Sequence, residues 1–233
     1  HNLASLQAAH YFNIGGVMGH LWASRLCICI ASIAIQASST SRNPFDGQHF
    51  YLNPINAESY DVSIAKAEGG VKASLEKMQK VPTAYWIDRK AKLRGRGRGT
   101  LRWVLADASS RSPPGLVALV WHGLPNRDCH ADAPAGEICC HRNHDGSCNF
   151  HGGGGCEAGV REYRTEFVDP FVAALREYAP TLPIVVVLEP DGLPNLATNS
   201  KEPRCGSPAT RAGYREGLRY AAGQLASEAP DVS

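Results

Sequence analysis

The chain has 233 residues, 43% hydrophobic and 20% charged, which is enough apolar material for a proper core and excludes a disordered chain. Its 24 basic and 22 acidic residues nearly cancel, so charge gives no sign of a nucleic-acid or membrane-surface partner, and a neutral ligand suits the surface. Eight cysteines, an even and clustered set, point to an oxidising compartment.

Residues 1–17 precede Met18 and read as translated upstream sequence without fold. Residues 18–37 combine one arginine, the apolar run Leu26–Ile35 and a small polar exit, the layout of a secretory signal peptide that carries Cys27 and Cys29 away. The apolar run is shorter than the ~20 residues that span a bilayer, so the mature chain is expected to be extracellular with no membrane partner.

The mature domain is expected over 43–233, entered through Pro44, Gly47 and Pro54. Residues 57–79 have helical apolar spacing interrupted at Gly69-Gly70. Val81–Asp88 reads as the first strand. The stretch 92–99, KLRGRGRG, is read as a solvated connector in preference to a nucleic-acid contact, and a helix follows over Thr100–Ser110. Arg111–Gly115 turns the chain into a second strand, Leu116–Trp121, which runs into His122-Gly-Leu-Pro-Asn-Arg-Asp-Cys129.

After a cysteine- and glycine-rich insertion at 138–157 comes a helix over Arg161–Tyr178, with Phe167, Phe171, Val172 and Leu175 on one side. The β-branched run Ile184–Leu188 suits a strand covered on both faces, and Glu189-Pro190-Asp191 stops it. A last amphipathic helix spans about Ala209–Ala226. The pattern is α/β with three parallel strands, each followed by a helix.

Two acids thus stand after two apolar strands. If those strands are parallel neighbours, Asp128 and Asp191 leave the sheet on one face, where such a pair can split its pKa values into an acid and an ionised group. Either aspartate alone would more simply cap a helix. The pair together points to glycoside hydrolysis.

The segments LPNRDC and VVVLEPDGLPNLATN, with NPFDGQHFYLNP, VPTAYWIDR and EPRCGSPATRAGYREGLRYAAGQL in support, resemble glycoside hydrolase family 6 from about Asn43 onward. That family comprises cellulases that cleave β-1,4-glucan with inversion on a distorted seven-stranded β/α barrel. The resemblance implies an N-terminal piece of that barrel, inactive alone, with the catalytic base outside the chain. It makes Asp191 the proton donor, its pKa raised by burial and a like charge, and Asp128 the second aspartate. Trp86, Asp88, Arg127 and His122 become substrate-binding positions, with Arg127 orienting a carboxylate, while Glu189 and Asn195 support the site. The ligand would be a β-1,4-glucan or cello-oligosaccharide, with no cofactor and no metal.

Two departures stand out. His122 replaces the family's usual tyrosine, and Pro134-Ala135 replaces a Ser-Asn pair. They make a catalytically weakened carbohydrate-binding protein the alternative function.

Cys139, Cys140, Cys148 and Cys156 lie among His141, His144 and His151. A zinc-binding interaction module is one reading, but the spacing lacks a C-x2-C pair, so two disulfides are expected. Their order is open among three connectivities, and the adjacent cysteines are not expected to pair. The resemblance pairs Cys129 with Cys205.

Overall fold

The computed structural model describes residue 43, residues 45–131 and residues 136–233, so the leader assigned to 18–37 and the Pro134-Ala135 departure lie outside the described residues. Helices α1 (Pro54–Ile64) and α2 (Gly69–Met78) come first, then strand β1 (Tyr85–Ile87) and a 3-10 turn at Lys90–Leu93. Next come α3 (Leu101–Ser109), β2 (Val117–Trp121) and α4 (Glu157–Tyr163), with α4 passing through a π-helical stretch at Arg164–Val168 into α5 (Asp169–Tyr178). Strand β3 (Ile184–Leu188) and helices α6 (Gly192–Thr198) and α7 (Pro208–Glu228) complete the described elements.

Local chemistry sets the boundaries. The Asn53, Thr100 and Ser207 side chains accept the Ile55, Trp103 and Thr210 amides at the starts of α1, α3 and α7, satisfying donors that the helix cannot use. Pro54 and Pro208 stand at first helical positions, where the missing N–H costs nothing. The break expected at Gly69-Gly70 falls at residues 65–68, and Gly69 starts α2 with φ +54°. Strand β1 is shorter than the expected Val81–Asp88 because Pro82 has no amide to donate to a ladder.

The three strands form one parallel sheet in the order β1-β2-β3, with Trp86 opposite Val120, and Trp121 opposite Leu188. Pairing continues past the strand ends, where the His122 amide donates to the Ile87 carbonyl and the Glu189 amide to the Trp121 carbonyl. Central β2 is almost wholly buried, and Trp121 stacks on Phe171 with ring centroids 4.0 Å apart. Phe167 and Tyr163 extend the cluster, so the α4–α5 segment is the main cover on that face. Strand β3 differs from expectation. It is one of the two edge strands among the described residues, and Val187 is 44% exposed, so the apolar run is not covered on both faces.

The KLRGRGRG connector runs along acidic helices. Arg94 meets Glu166, Arg96 meets Glu177, and Arg98 meets Glu58. Three disulfides are formed: Cys129–Cys205, Cys139–Cys148 and Cys140–Cys156. The first is the pairing the resemblance implied, and the other two settle the open order in the insertion. With these sulfurs oxidised, the zinc-module reading loses its thiolate ligands. No helix among the described residues is long and apolar enough to cross a membrane.

Candidate active site

Parallel pairing in register sends β2 and β3 out of the sheet side by side, and the residues just past their ends form one cluster. Among the described residues, three non-glycine residues have left-handed backbone: Asn126 (φ 57°), Asp128 (φ 59°) and Glu189 (φ 45°). All three lie in these two exits. Asn and Asp tolerate that region, whereas a glutamate there is strained, and strain of this kind gathers at functional sites.

Asn126 explains how the first exit is held. It is fully buried; its side chain donates to Thr210 Oγ1 at 3.0 Å and accepts the Cys140 amide at 2.9 Å, while its carbonyl accepts the Tyr214 hydroxyl at 3.1 Å. The backbone therefore turns sharply between Leu124 and Cys129, and Asp128 is delivered beside His122. Arg127 Nη1 donates to the His122 carbonyl at 3.3 Å, and its Nε lies 3.6 Å from Asp128 Oδ2, an ion-pair distance without a hydrogen bond. Gly136 permits the approach, because a Cβ there would sit 2.1 Å from Arg127 Nε.

Glu189 is the buried anchor of the second exit. Its Oε1 accepts the Gly123 amide at 2.8 Å and the Tyr163 hydroxyl at 2.9 Å, and its Oε2 lies 3.7 Å from His122 Nδ1. Burial pushes its carboxyl up to about 7, an effect its hydrogen bonds only partly offset. His122 is 5% exposed, and its Nε2 faces Asp128 Oδ1 at 3.3 Å. That contact is the chief reason the Asp128 carboxyl sits below its ordinary range. The residue expected to touch substrate is thus mainly a buried link between two carboxylates, with only its edge beneath Trp86.

Asp191 occupies the N-cap position of α6, yet its side chain makes no capping hydrogen bond and is exposed, so the burial expected of a proton donor is not found here, because little of α6 packs over it. The simpler capping role therefore does not account for it. Its carboxylate and that of Asp128 each place an oxygen within 4.8 Å of the other and of a His122 nitrogen. Trp86, 45% exposed, meets the His122 ring edge-on with centroids 5.5 Å apart and presents an open indole at the rim.

The remaining expected residues lie farther out. Asp88 pairs with Lys92 Nζ at 2.8 Å and with Arg89 at 3.5 Å, and those cations hold its carboxyl down despite partial burial. Asn195 Oδ1 accepts from Asn199 at 2.6 Å, one turn along α6. Sequence reasoning missed Asn126, Tyr163 and Tyr214. Each sits among polar or charged neighbours, so the sequence carried no signal that they are buried.

A sequence model described as glycosyl hydrolases family 6 matches residues 45–233. The chain belongs to that family. Exoglucanase A of Cellulomonas fimi is 32% identical over 205 residues, covering 84% of this chain and 21% of the relative. Exoglucanase 3 of Agaricus bisporus is 30% identical over 188 residues, covering 80% of this chain and 37% of the relative. Among solved structures, the CcCel6A catalytic domain complexed with p-nitrophenyl β-D-cellotrioside matches with TM-score 0.64 at 33% identity, over 79% of this chain and 46% of that one. CcCel6C from Coprinopsis cinerea matches with TM-score 0.63 at 30% identity, over 82% and 47%. This family 6 chain therefore spans less than half the length of these relatives, and its three strands correspond to part of their α/β fold.

Proposed function

We propose that this chain is the part of a secreted, inverting β-1,4-glucan hydrolase that carries the proton donor and the first sugar platform. Asp191 delivers a proton to the glycosidic oxygen as the bond breaks. Asp128, kept ionised by His122, stands beside Asp191 as a second negative charge and stabilises the positive charge growing at the anomeric carbon. Trp86 offers its open indole to the apolar face of a pyranose, burying area with little loss of rotamer freedom. Glu189 and Tyr163 hold the floor of the site, and residues 18–37 supply the export signal.

The observation that carries the reading is the convergence of two carboxylates from neighbouring strand ends to within 4.8 Å, with the Cys129–Cys205 bond tying the β2 exit to the loop between α6 and α7. That closeness also bears on roles. An inverting acid and base stand about 6.5–9.5 Å apart to admit a water, and the nearest oxygens of Asp128 and Asp191 are closer than that, so we do not assign the base to Asp128. The names of the relatives, exoglucanase and cellobiohydrolase, favour cellulose or cello-oligosaccharides as ligand.

The test is to assay the chain alone and fused to the complementary C-terminal part of the CcCel6A catalytic domain. The chain alone is expected to leave cellohexaose intact, and the fusion to cleave it with the α-anomer appearing first by NMR. Asp191→Asn should remove that activity, and a folded fusion in which Asp191→Asn remains fully active would overturn the assignment.

A further inference from the structure

Two aspartates alone would say nothing about a cation, but an imidazole joins them. Nitrogen of His122 and one oxygen each of Asp128 and Asp191 all lie within 4.8 Å of one another. The His122 side chain is 6% exposed, its Nε2 faces this small space, and its Nδ1 lacks a hydrogen-bond partner. Behind Nδ1 stands the Glu189 carboxylate at 3.7 Å, fixed from its far side by Gly123 and Tyr163. A carboxylate that accepts the far ring N–H orients imidazoles toward metals, and Glu189 stands where a small shift of His122 would make that bond.

The separations fit. The Nε2 to Asp128 Oδ1 distance is 3.3 Å, the edge expected between two ligands at about 2.0–2.1 Å from a tetrahedral ion. Asp191 must close the remaining gap, and it is exposed and makes no cap bond, so its carboxylate is free to swing inward. Arg127 opposes a cation, but it approaches Oδ2 of Asp128, leaving Oδ1 to the histidine side. Carboxylates alone would favour magnesium or calcium, whereas adding an imidazole shifts preference toward zinc or copper.

We propose that His122, Asp128 and Asp191 bind a single zinc-type divalent cation, with Glu189 as the orienting carboxylate, and that the bound ion inhibits the site. The binding half stands on geometry alone. The inhibition half rests on reading Asp191 as the proton donor, since an ion held by that carboxylate displaces the proton it must deliver.

Titrating ZnCl2 into the full chain by calorimetry tests the site without needing catalysis. One tight site is expected, together with visible Co2+ ligand-field bands on cobalt substitution. Asp191→Asn, at an exposed position that does not threaten folding, should abolish both signals, and His122→Tyr should do the same. Glu189→Gln should weaken binding about 10–100-fold. Unchanged zinc affinity in Asp191→Asn, with the ion on exposed histidines such as His130, His144 or His151, would overturn the proposal, as would no heat at all. Neither result touches the hydrolytic reading, and a fusion that fails to cleave cellohexaose leaves the calorimetry intact. In an active fusion, zinc should suppress cleavage, and EDTA should restore it.

Discussion

The exits of β2 and β3 reach the same site but are built differently. After β2, every residue from His122 to Asn126 is buried, and Asn126 is tied to Thr210, Cys140 and Tyr214. After β3, Glu189 is equally buried, but two residues on Asp191 is exposed, and Leu193 in α6 is 65% exposed. One aspartate is held in a preorganised setting and the other on an exposed rim. The rigid side sets where charge sits, and the open side must be positioned by what it meets.

The largest test of this contrast is the bond tying the β2 exit to the loop between α6 and α7. Replacing Cys129 and Cys205 by serine opens a link of sequence separation 76, and should cost about 4 kcal/mol by denaturant titration. Next comes the buried anchor. Because burial raises Glu189 from 4.5 to about 7, the folded state keeps a proton that the unfolded chain has lost between those values. Stability is therefore fully present below about 4.5 and falls as pH rises toward about 7. Relative to Glu189→Gln, the wild-type chain should lose on the order of 3 kcal/mol across that window, read from thermal unfolding at each pH. Asp128 acts in the opposite sense, its stabilisation being lost only as strong acid protonates it.

A smaller effect is expected at Gly159, where a Cβ would meet the Cys139 carbonyl oxygen at 2.6 Å. Gly159→Ala should cost about 1–3 kcal/mol by unfolding midpoint, because backbone on the tied side must move. The smallest belongs to the open side. Asp191→Asn should change stability by less than about 0.5 kcal/mol, since no cap bond is lost. A loss of about 1 kcal/mol would instead mark Asp191 as a helix cap and erase the contrast.

The parallel sheet was readable because β-branched runs ending in acids have few other solutions, and the bounds of Ile184–Leu188 match the strand. The α1–α2 break was readable to within a few residues from Gly69-Gly70, and α7 from its amphipathic spacing. Helix α6 was missed because Gly-Leu-Pro-Asn carries no apolar period, although Asp191 stood ready as its cap. The covered face expected for β3 failed because apolar composition says what a strand can bury, not what lies beside it. His122 shows the same limit within the site. A polar residue after a strand reads as a surface contact, and only the fold reveals that Glu189, distant in sequence, closes over its other nitrogen.

The arginine-studded connector has a consequence for handling the protein. Arg94, Arg96 and Arg98 are each exposed by more than half, so the ion pairs that tether them to three acidic partners are weak individually and open to added electrolyte. Raising ionic strength should untether this segment while leaving the core folded. Trypsin should then cut after these arginines much faster in molar sodium chloride than in dilute buffer, making limited digestion a gauge of the tether.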